Sequence, residues 1–435
     1  MASETHRAVD AVWRIESARL IAGLARIVRD VGLAEELAQE ALVAALEQWP
    51  SAGIPQNPGA WLMGVAKHRA IDQLRRNRLL QRKHEEISRD LHVLEQATAE
   101  QIDTSLDDEV GDDLLRLLFI SCHPVLSVEA RVALTLRLLG GLTTEEIARA
   151  FLVPASTVAQ RIVRAKRTLA EAQVPFEVPR DAELTARVSS VLQVVYLIFN
   201  EGYSATAGDD WMRPALCEDA LRLGRMLAEL SSRAQRAPTA LCADPQESEV
   251  HGLVALMEIQ ASRSNARVDA AGEPILLRNQ NRAQWDLVLV RRGFAALERA
   301  QQAASARDMG LGPYALQAAI AACHARARTP EETDWAQIAA IYDALAQLTP
   351  SPVVELNRAV AVSMAFGPSA GLEIVDLLTN EPALDRYHLL PSVRGDLLAK
   401  LGRSAEARTE FKRAASLTRN TRERDLLLAR ARECQ

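Results

Sequence analysis

No stretch of the sequence approaches the roughly 18 uninterrupted apolar residues that a membrane-spanning helix needs, and Met1 to Asp10 lacks the apolar run of a signal peptide. Both absences point to a cytoplasmic protein with no membrane partner. Cysteine is sparse too. Cys122, Cys217, Cys242, Cys323 and Cys434 lie far apart with no Cys-x-x-Cys, so neither a disulfide framework nor a zinc site is suggested, and buried, reduced thiols are expected. Enzyme signatures are also missing: there is no Walker A loop, no Gly-x-Ser-x-Gly and no His-Glu-x-x-His, and the eight His residues are scattered. No catalytic residue, metal or cofactor is expected.

What the chain does have is helix former. Hydrophobic residues make up 48%, and long runs are dense in Ala, Leu, Glu, Gln and Arg, which favours an all-α protein. At 435 residues, and very roughly 150 residues per domain, two to four domains are expected. The net charge of −6 is unevenly spread. Lys67, Arg69, Arg75, Arg76, Arg78, Arg82 and Lys83 face only Asp72, whereas residues 85–113 carry eleven acids, from Glu85 to Asp113, against Arg89. A basic helix followed by an acidic tether fits nucleic-acid binding; the plainer reading is a solvated helix face beside a linker.

Residues 8–84 read as one helical unit, broken at Asp30–Gly32 and again across Pro50–Pro58. Residues 85–113 read as the linker and 114–173 as a second compact unit, closed by the prolines at 175 and 179. Within it, Val128 to Leu139 is helical and stops at Gly140-Gly141. Thr143-Thr-Glu-Glu146 then forms a capping box, in which hydroxyl and carboxylate satisfy the free amides of a short helix that reaches Phe151. Leu152-Val-Pro154 turns into a longer helix from Ala155 to Ala172, the layout of a helix-turn-helix. On a period of 3.6 residues, Val158, Ile162, Ala165 and Leu169 point inward. Ser156, Gln160, Val163, Arg164 and Arg167 point outward, with Thr157 and Arg161 at the margin. Recognition helices read base edges from their N-terminal half. Thr157, Gln160 and Arg164, beside Ser156, are therefore candidate base readers, and Arg161, Lys166 and Arg167 candidate phosphate contacts.

The first unit decides what kind of helix-turn-helix protein this is. Leu33-Ala-Glu-Glu-Leu-Ala-Gln-Glu-Ala41 with Trp49, and Asn57-Pro-Gly-Ala-Trp-Leu-Met-Gly-Val-Ala-Lys-His-Arg-Ala-Ile-Asp-Gln-Leu-Arg-Arg76, closely resemble regions two-point-two to two-point-four of extracytoplasmic-function sigma factors. Leu142 to Leu169 resembles their region four. The resemblance implies binding to core RNA polymerase and promoter DNA, with residence on the nucleoid in the holoenzyme. It implies docking of the second helix on a basic coiled coil of the polymerase's largest subunit, and of region four on the second-largest subunit near the flap. Here Glu36, Gln39, Glu40, Val43 and Glu47 share one face, while Leu37, Ala41, Ala44 and Gln48 lie on the other. An acidic stripe suits a basic partner. The next helix would lie on the downstream, minus-ten element, with Asn57, Lys67, His68, Arg69, Arg75, Arg76 and Arg78 as its DNA-facing residues and the loop Ser51 to Asn57 supplying the pocket for unstacked bases. His68 stands where many members carry Asn. Trp61 is expected to pack in the core, and Asp72 to pair within its helix with Arg69 or Arg76.

Residues 181–435 form a long extension. Gly367-Pro-Ser-Ala-Gly-Leu and Gly402-Arg-Ser-Ala-Glu-Ala recur thirty-five residues apart, and Leu348-Thr349 and Leu417-Thr418 sixty-nine apart. A tetratricopeptide repeat is about 34 residues long, so a tetratricopeptide-like array is expected, clearest over residues 331–435. Tyr196 to Tyr203, Gly272 to Asp286 and Leu348 to Ala361 resemble the sigma subgroup with a large C-terminal extension, although Asn281 replaces the Asp common there. Asn279, Gln280, Asn281 and Arg282, just before Trp285, have the look of a ligand site; the plainer reading is a loop capping a helix that begins near Gln284. The extension is expected to make an intramolecular contact with the promoter-reading domains and set their availability. The competing reading is an operator-binding regulator with a tetratricopeptide sensor, which would have no need of the stripe from Glu36 to Glu47.

Overall fold

The computed structural model describes residues 2–85, 109–151, 153–179, 181–205, 207–208, 211–234, 246–269 and 273–434. Residues 86–108, most of the expected linker, and Cys242 lie outside the described residues. The chain divides into two compact units, residues 1–194 and 195–435.

In the first unit, α1 (Ala2–Val28), α2 (Val31–Ala52) and α3 (Pro58–Glu85) pack on one another around Leu20, Ile21, Leu24 and Leu62. Asp30 separates the first two, its carboxylate accepting from the Leu33 amide at 2.9 Å as an N-cap. The expected break at Pro50 is displaced. Pro50 lies inside α2, where only the last turn remains to be disturbed, and the helix ends at Gly53, whose φ of 82° exploits the freedom of a residue without Cβ. Trp49 is buried and meets Trp61 edge-on, with centroids 5.4 Å apart.

Four further helices of the first unit follow in sequence order: α4 (Glu109–Ser121), α5 (Val128–Leu138), α6 (Thr144–Phe151) and α7 (Ala155–Glu171). α4 starts inside the segment expected to be linker. Its Asp113 is buried and paired with Arg116 at 2.6 Å and with Arg26 of α1 at 3.3 Å, so the last acid of the run anchors a helix. α5 stops where predicted, because a Cβ on Gly140 would sit 2.4 Å from the Leu136 carbonyl oxygen and Gly141 has φ 69°. The capping box of α6 is formed: Thr143 Oγ1 accepts from the Glu146 amide at 3.1 Å, and Glu146 accepts from the Thr143 amide at 2.8 Å. The helix α8 (Asp181–Tyr203) runs through the division between the units. Its Ser190 donates to the Cys122 carbonyl and accepts from Arg131, both at 2.6 Å, so the extension as a separate body begins later than residue 181.

The second unit is built around α10 (Glu247–Ala261), which packs against α9 (Pro214–Ala234), α11 (Leu287–Ser305) and α12 (Pro313–Arg326). Nearly every residue of α10 is buried, because Gly252 and Gly293 let neighbours close in; a Cβ at Gly252 would lie 2.6 Å from the Ala315 nitrogen. α11 begins at Leu287, capped by Asp286, rather than near Gln284. Asn281 instead caps the short turn 282–284. Then α13 (Trp335–Leu348), α14 (Pro352–Phe366), α15 (Pro368–Leu378), α16 (Leu389–Lys400), α17 (Ser404–Leu417) and α18 (Thr421–Glu433) pack each on the next. Phe411, Leu398, Val375 and Leu356 lie in the core shared by α14 to α18, and Ile338 of α13 packs with Ile320 of α12 and Ala361 of α14. A two-residue parallel ladder, Ala207–Gly208 against Arg419–Asn420, joins the start of this unit to its end. The buried Asn420 side chain donates to the Ala205 carbonyl at 3.2 Å and caps α18. The four described cysteines are buried thiols; burial pushes Cys122 up to about 11 and Cys217 to about 12. Among the described residues no helix is long and apolar enough to cross a membrane.

Candidate nucleic-acid interface

The face of α7 divides as its periodicity requires. Val158, Ile162, Ala165 and Leu169 are buried, and Ser156, Gln160, Arg164 and Arg167 are exposed, with Thr157 and Arg161 half-buried. Arg164 makes no described ion pair, whereas Arg167 lies 2.6 Å from Glu171 on the same exposed face. Lys166 is turned the other way. Its ammonium forms an ion pair with Glu35 of α2.

Glu35 is the feature that sequence reasoning passed over. It is 3% exposed, and besides Lys166 it accepts from Arg137 Nε at 2.6 Å and from Gln39 Nε2 at 2.7 Å. Burial alone would push its carboxyl up; the Lys166 and Arg137 charges together outweigh that and hold it below the usual range. A signal was present, since Glu35 interrupts the apolar stripe Val31, Ala34, Ala38, Ala41 and Ala45, where a carboxylate needs a buried cation. Arg14 adds a second tie across the same unit, 3.0 Å from Glu146 of α6.

On α2, Glu36, Glu40, Val43 and Glu47 form an exposed stripe with Gln39 half-buried beside it, while Leu37, Ala41 and Ala44 are buried. Gln48, expected on the inner face, is exposed, because the buried ring of Trp49 takes that position. On α3, His68, Arg75 and Arg76 are exposed, and Lys67 and Arg69 half-buried. The side chain of Arg78 lies outside the described residues. Two expectations change. Arg69 pairs with Glu40 of α2 at 3.1 Å, and Asp72 makes no described ion pair with Arg69 or Arg76. Asn57 spends its side-chain oxygen on the Ala60 amide at 3.0 Å, as the cap of α3.

Comparison with known proteins follows the same division. Residues 15–79 match the sigma-70 region 2 family and residues 116–169 the sigma-70 region 4 family; residues 187–301 match a family of unknown function (DUF6596). An uncharacterized protein of Rhizobium meliloti (strain 1021), R00370, is 43% identical over 401 residues, covering 92% of this chain and 89% of the relative. The probable ECF RNA polymerase sigma factor SigI of Mycobacterium tuberculosis is 29% identical over 177 residues, 40% of this chain and 58% of that protein. No solved structure matches. With both promoter-reading regions matched in order over α1 to α7, and a matched extension behind them, the chain belongs to the extracytoplasmic-function sigma factors of the sigma-70 family and is an alternative sigma factor directing transcription initiation.

Proposed function

We propose that this sigma factor docks on core RNA polymerase through Glu36, Gln39, Glu40, Val43 and Glu47, on the coiled coil of the largest subunit, while its second domain meets the second-largest subunit near the flap. Ser156, Thr157, Gln160 and Arg164 read the upstream, minus-thirty-five element, flanked by Arg161, Lys166 and Arg167 on phosphates. Asn57, Lys67, His68, Arg69, Arg75, Arg76 and Arg78 face the minus-ten element. It acts stoichiometrically in the cytoplasm and catalyses nothing itself.

The observation that carries this reading is the exposed stripe of α2 beside a basic, outward-facing α7. Lys166 reaches a phosphate only after parting from Glu35, so the ion pair between α2 and α7 opens when the upstream element is bound. The helical extension, a tetratricopeptide-like array over its later helices, tunes this activity. A pull-down with core polymerase followed by transcription from a promoter library tests the assignment. Glu36→Lys should reduce polymerase capture and output at every promoter; DNA binding without polymerase capture would favour the operator-binding regulator instead. A truncation testing the extension should keep residues 1–194, because Ser190 is bonded into the first unit. Unchanged output at equal protein level would remove the extension's modulating role.

A further inference from the structure

Buried charges on α10 have matched partners. Glu258 receives a two-pronged bond from Arg225 at 2.7 and 3.0 Å, Glu247 pairs with Arg307 at 2.8 Å, and Glu249 accepts the amides of Tyr314 and Ala315 at 3.0 and 3.1 Å. The segment just beyond this helix breaks the pattern. Arg263 and Arg267 are 9% and 7% exposed, yet among the described residues neither touches a carboxylate. Arg267 lies 3.6 Å above the Tyr203 ring and donates to the Tyr203 carbonyl and the Met212 sulfur. Arg263 donates to the Tyr203 hydroxyl and to Gln260. Arg282 adds a third guanidinium, held by the carbonyls of His324 and Ala327 and by Thr333. Glu331 and Glu332 lie in its field but form no ion pair with it.

Ring contacts lessen the cost of burying these cations without neutralising them, and like charges in a low dielectric repel. Burial first, and then the Arg263 charge, depresses Arg282, and burial with Arg263 and Arg282 lowers His324 to about 4. Three donors here have neither partner nor solvent: Arg263 Nε, Arg282 Nε and Trp285 Nε1. The two guanidinium carbons lie 5.7 and 5.2 Å from the Trp285 ring. Among the described side chains of this loop Gln280 Oε1 is the unpartnered buried acceptor, outnumbered by donors. Capping accounts for Asn281, and the Gln280 side-chain amide donates to the Ile275 carbonyl, but neither explains these donors.

We propose that Arg263, Arg282 and the Trp285 indole N–H form a binding site in the extension for a small phosphate-type oxyanion, with Arg267 supplying further positive charge. A divalent oxyanion supplies what the cluster lacks, namely several acceptor oxygens and two negative charges. Recognition of a promoter requires no such buried site, so the inference goes beyond the sigma reading and gives the extension a ligand to sense.

The test is calorimetric titration of the full chain with inorganic phosphate in chloride buffer of matched ionic strength, beside a nucleoside diphosphate. Saturable binding by the wild type, weakened at least tenfold in Arg263→Gln and in Arg282→Gln, is expected. Tighter binding of the nucleotide would identify it as the carrier of the anion, and equal or weaker binding would identify free phosphate; either supports the site. Removing one of several repelling charges should also leave the phosphate-free melting midpoint of Arg263→Gln unchanged or higher. A lower midpoint with phosphate binding intact would make Arg263 a structural staple and overturn the proposal. Should a variant not fold, hydrogen exchange of the wild type decides: phosphate should slow exchange over residues 263–286. No saturable binding of either probe, or protection confined to other segments, would overturn it.

Discussion

Replacing Glu35 by Gln keeps the size of the side chain and removes its charge, leaving Arg137 and Lys166 facing an amide. Removing one member of a buried ion pair costs about 3–5 kcal/mol. The Arg137 and Lys166 side chains remain 22% and 21% exposed and can recover some hydration, which places Glu35→Gln at the low end, about 3 kcal/mol. For a unit of this size that corresponds to a fall of about 6–12 °C in its melting midpoint. The pH dependence has a definite sign. Because the folded carboxyl is held below its ordinary value, the pair's contribution is full above the unfolded value and is lost as pH falls through the lower folded one. The gap between wild type and Glu35→Gln should therefore be widest at neutral pH and close below the ordinary carboxylate range. Urea unfolding of wild type, Glu35→Gln, Lys166→Met and the double variant measures both magnitude and coupling. A loss under about 1 kcal/mol, or additive effects in the double variant, would refute the assignment of Glu35 as the tie between α2 and α7. The same substitution frees Lys166, so binding of the first unit to upstream-element DNA should tighten if the ion pair competes with phosphate.

Other consequences are simpler to check. Arg164→Ala should cost about 1–3 kcal/mol at upstream elements carrying its base and little elsewhere, measured by binding across a variant library; a uniform loss would make it a phosphate contact. Thr143→Ala removes one half of the α6 capping box and should destabilise the first unit by about 1 kcal/mol in thermal melts, with polymerase capture retained. His324, lowered to about 4, is neutral in the fold at pH 7, so the unfolded chain takes up its proton first. Stability of the second unit should fall by up to about 3 kcal/mol as pH drops from about 6.5 to about 4 and then level off, and His324→Gln should flatten that decline.

Local structure was legible where one residue type fixes one conformation. Thr143 and Glu146 announced the start of α6, and the repeated Gly367 and Gly402 both take positive φ, 101° and 77°, just before α15 and α17. The buried face of α7 followed from its period alone. Pairings across the chain were not legible, because nothing local selects them. Arg137 lies 102 residues from Glu35, and Arg69 turned to Glu40 on another helix instead of the nearby Asp72. The same limit hid Asp113, which reads as one more acid of a tether until its cations are placed beside it. In the extension, three arginines from two segments met around two aromatic rings, a coincidence no spacing in the sequence encodes.

The ladder between Ala207–Gly208 and Arg419–Asn420 changes what kind of object the extension is. In an open array each repeat depends only on its neighbours, and the terminal repeats can fray or be trimmed one at a time. Here the Asn420 side chain at the start of the last helix is bonded to Ala205, 215 positions earlier, so the end of this unit is tied to its beginning. Disrupting the early segment should therefore loosen the late helices as well. Inserting or removing a single hairpin, harmless in an open array, would put the two ends out of register.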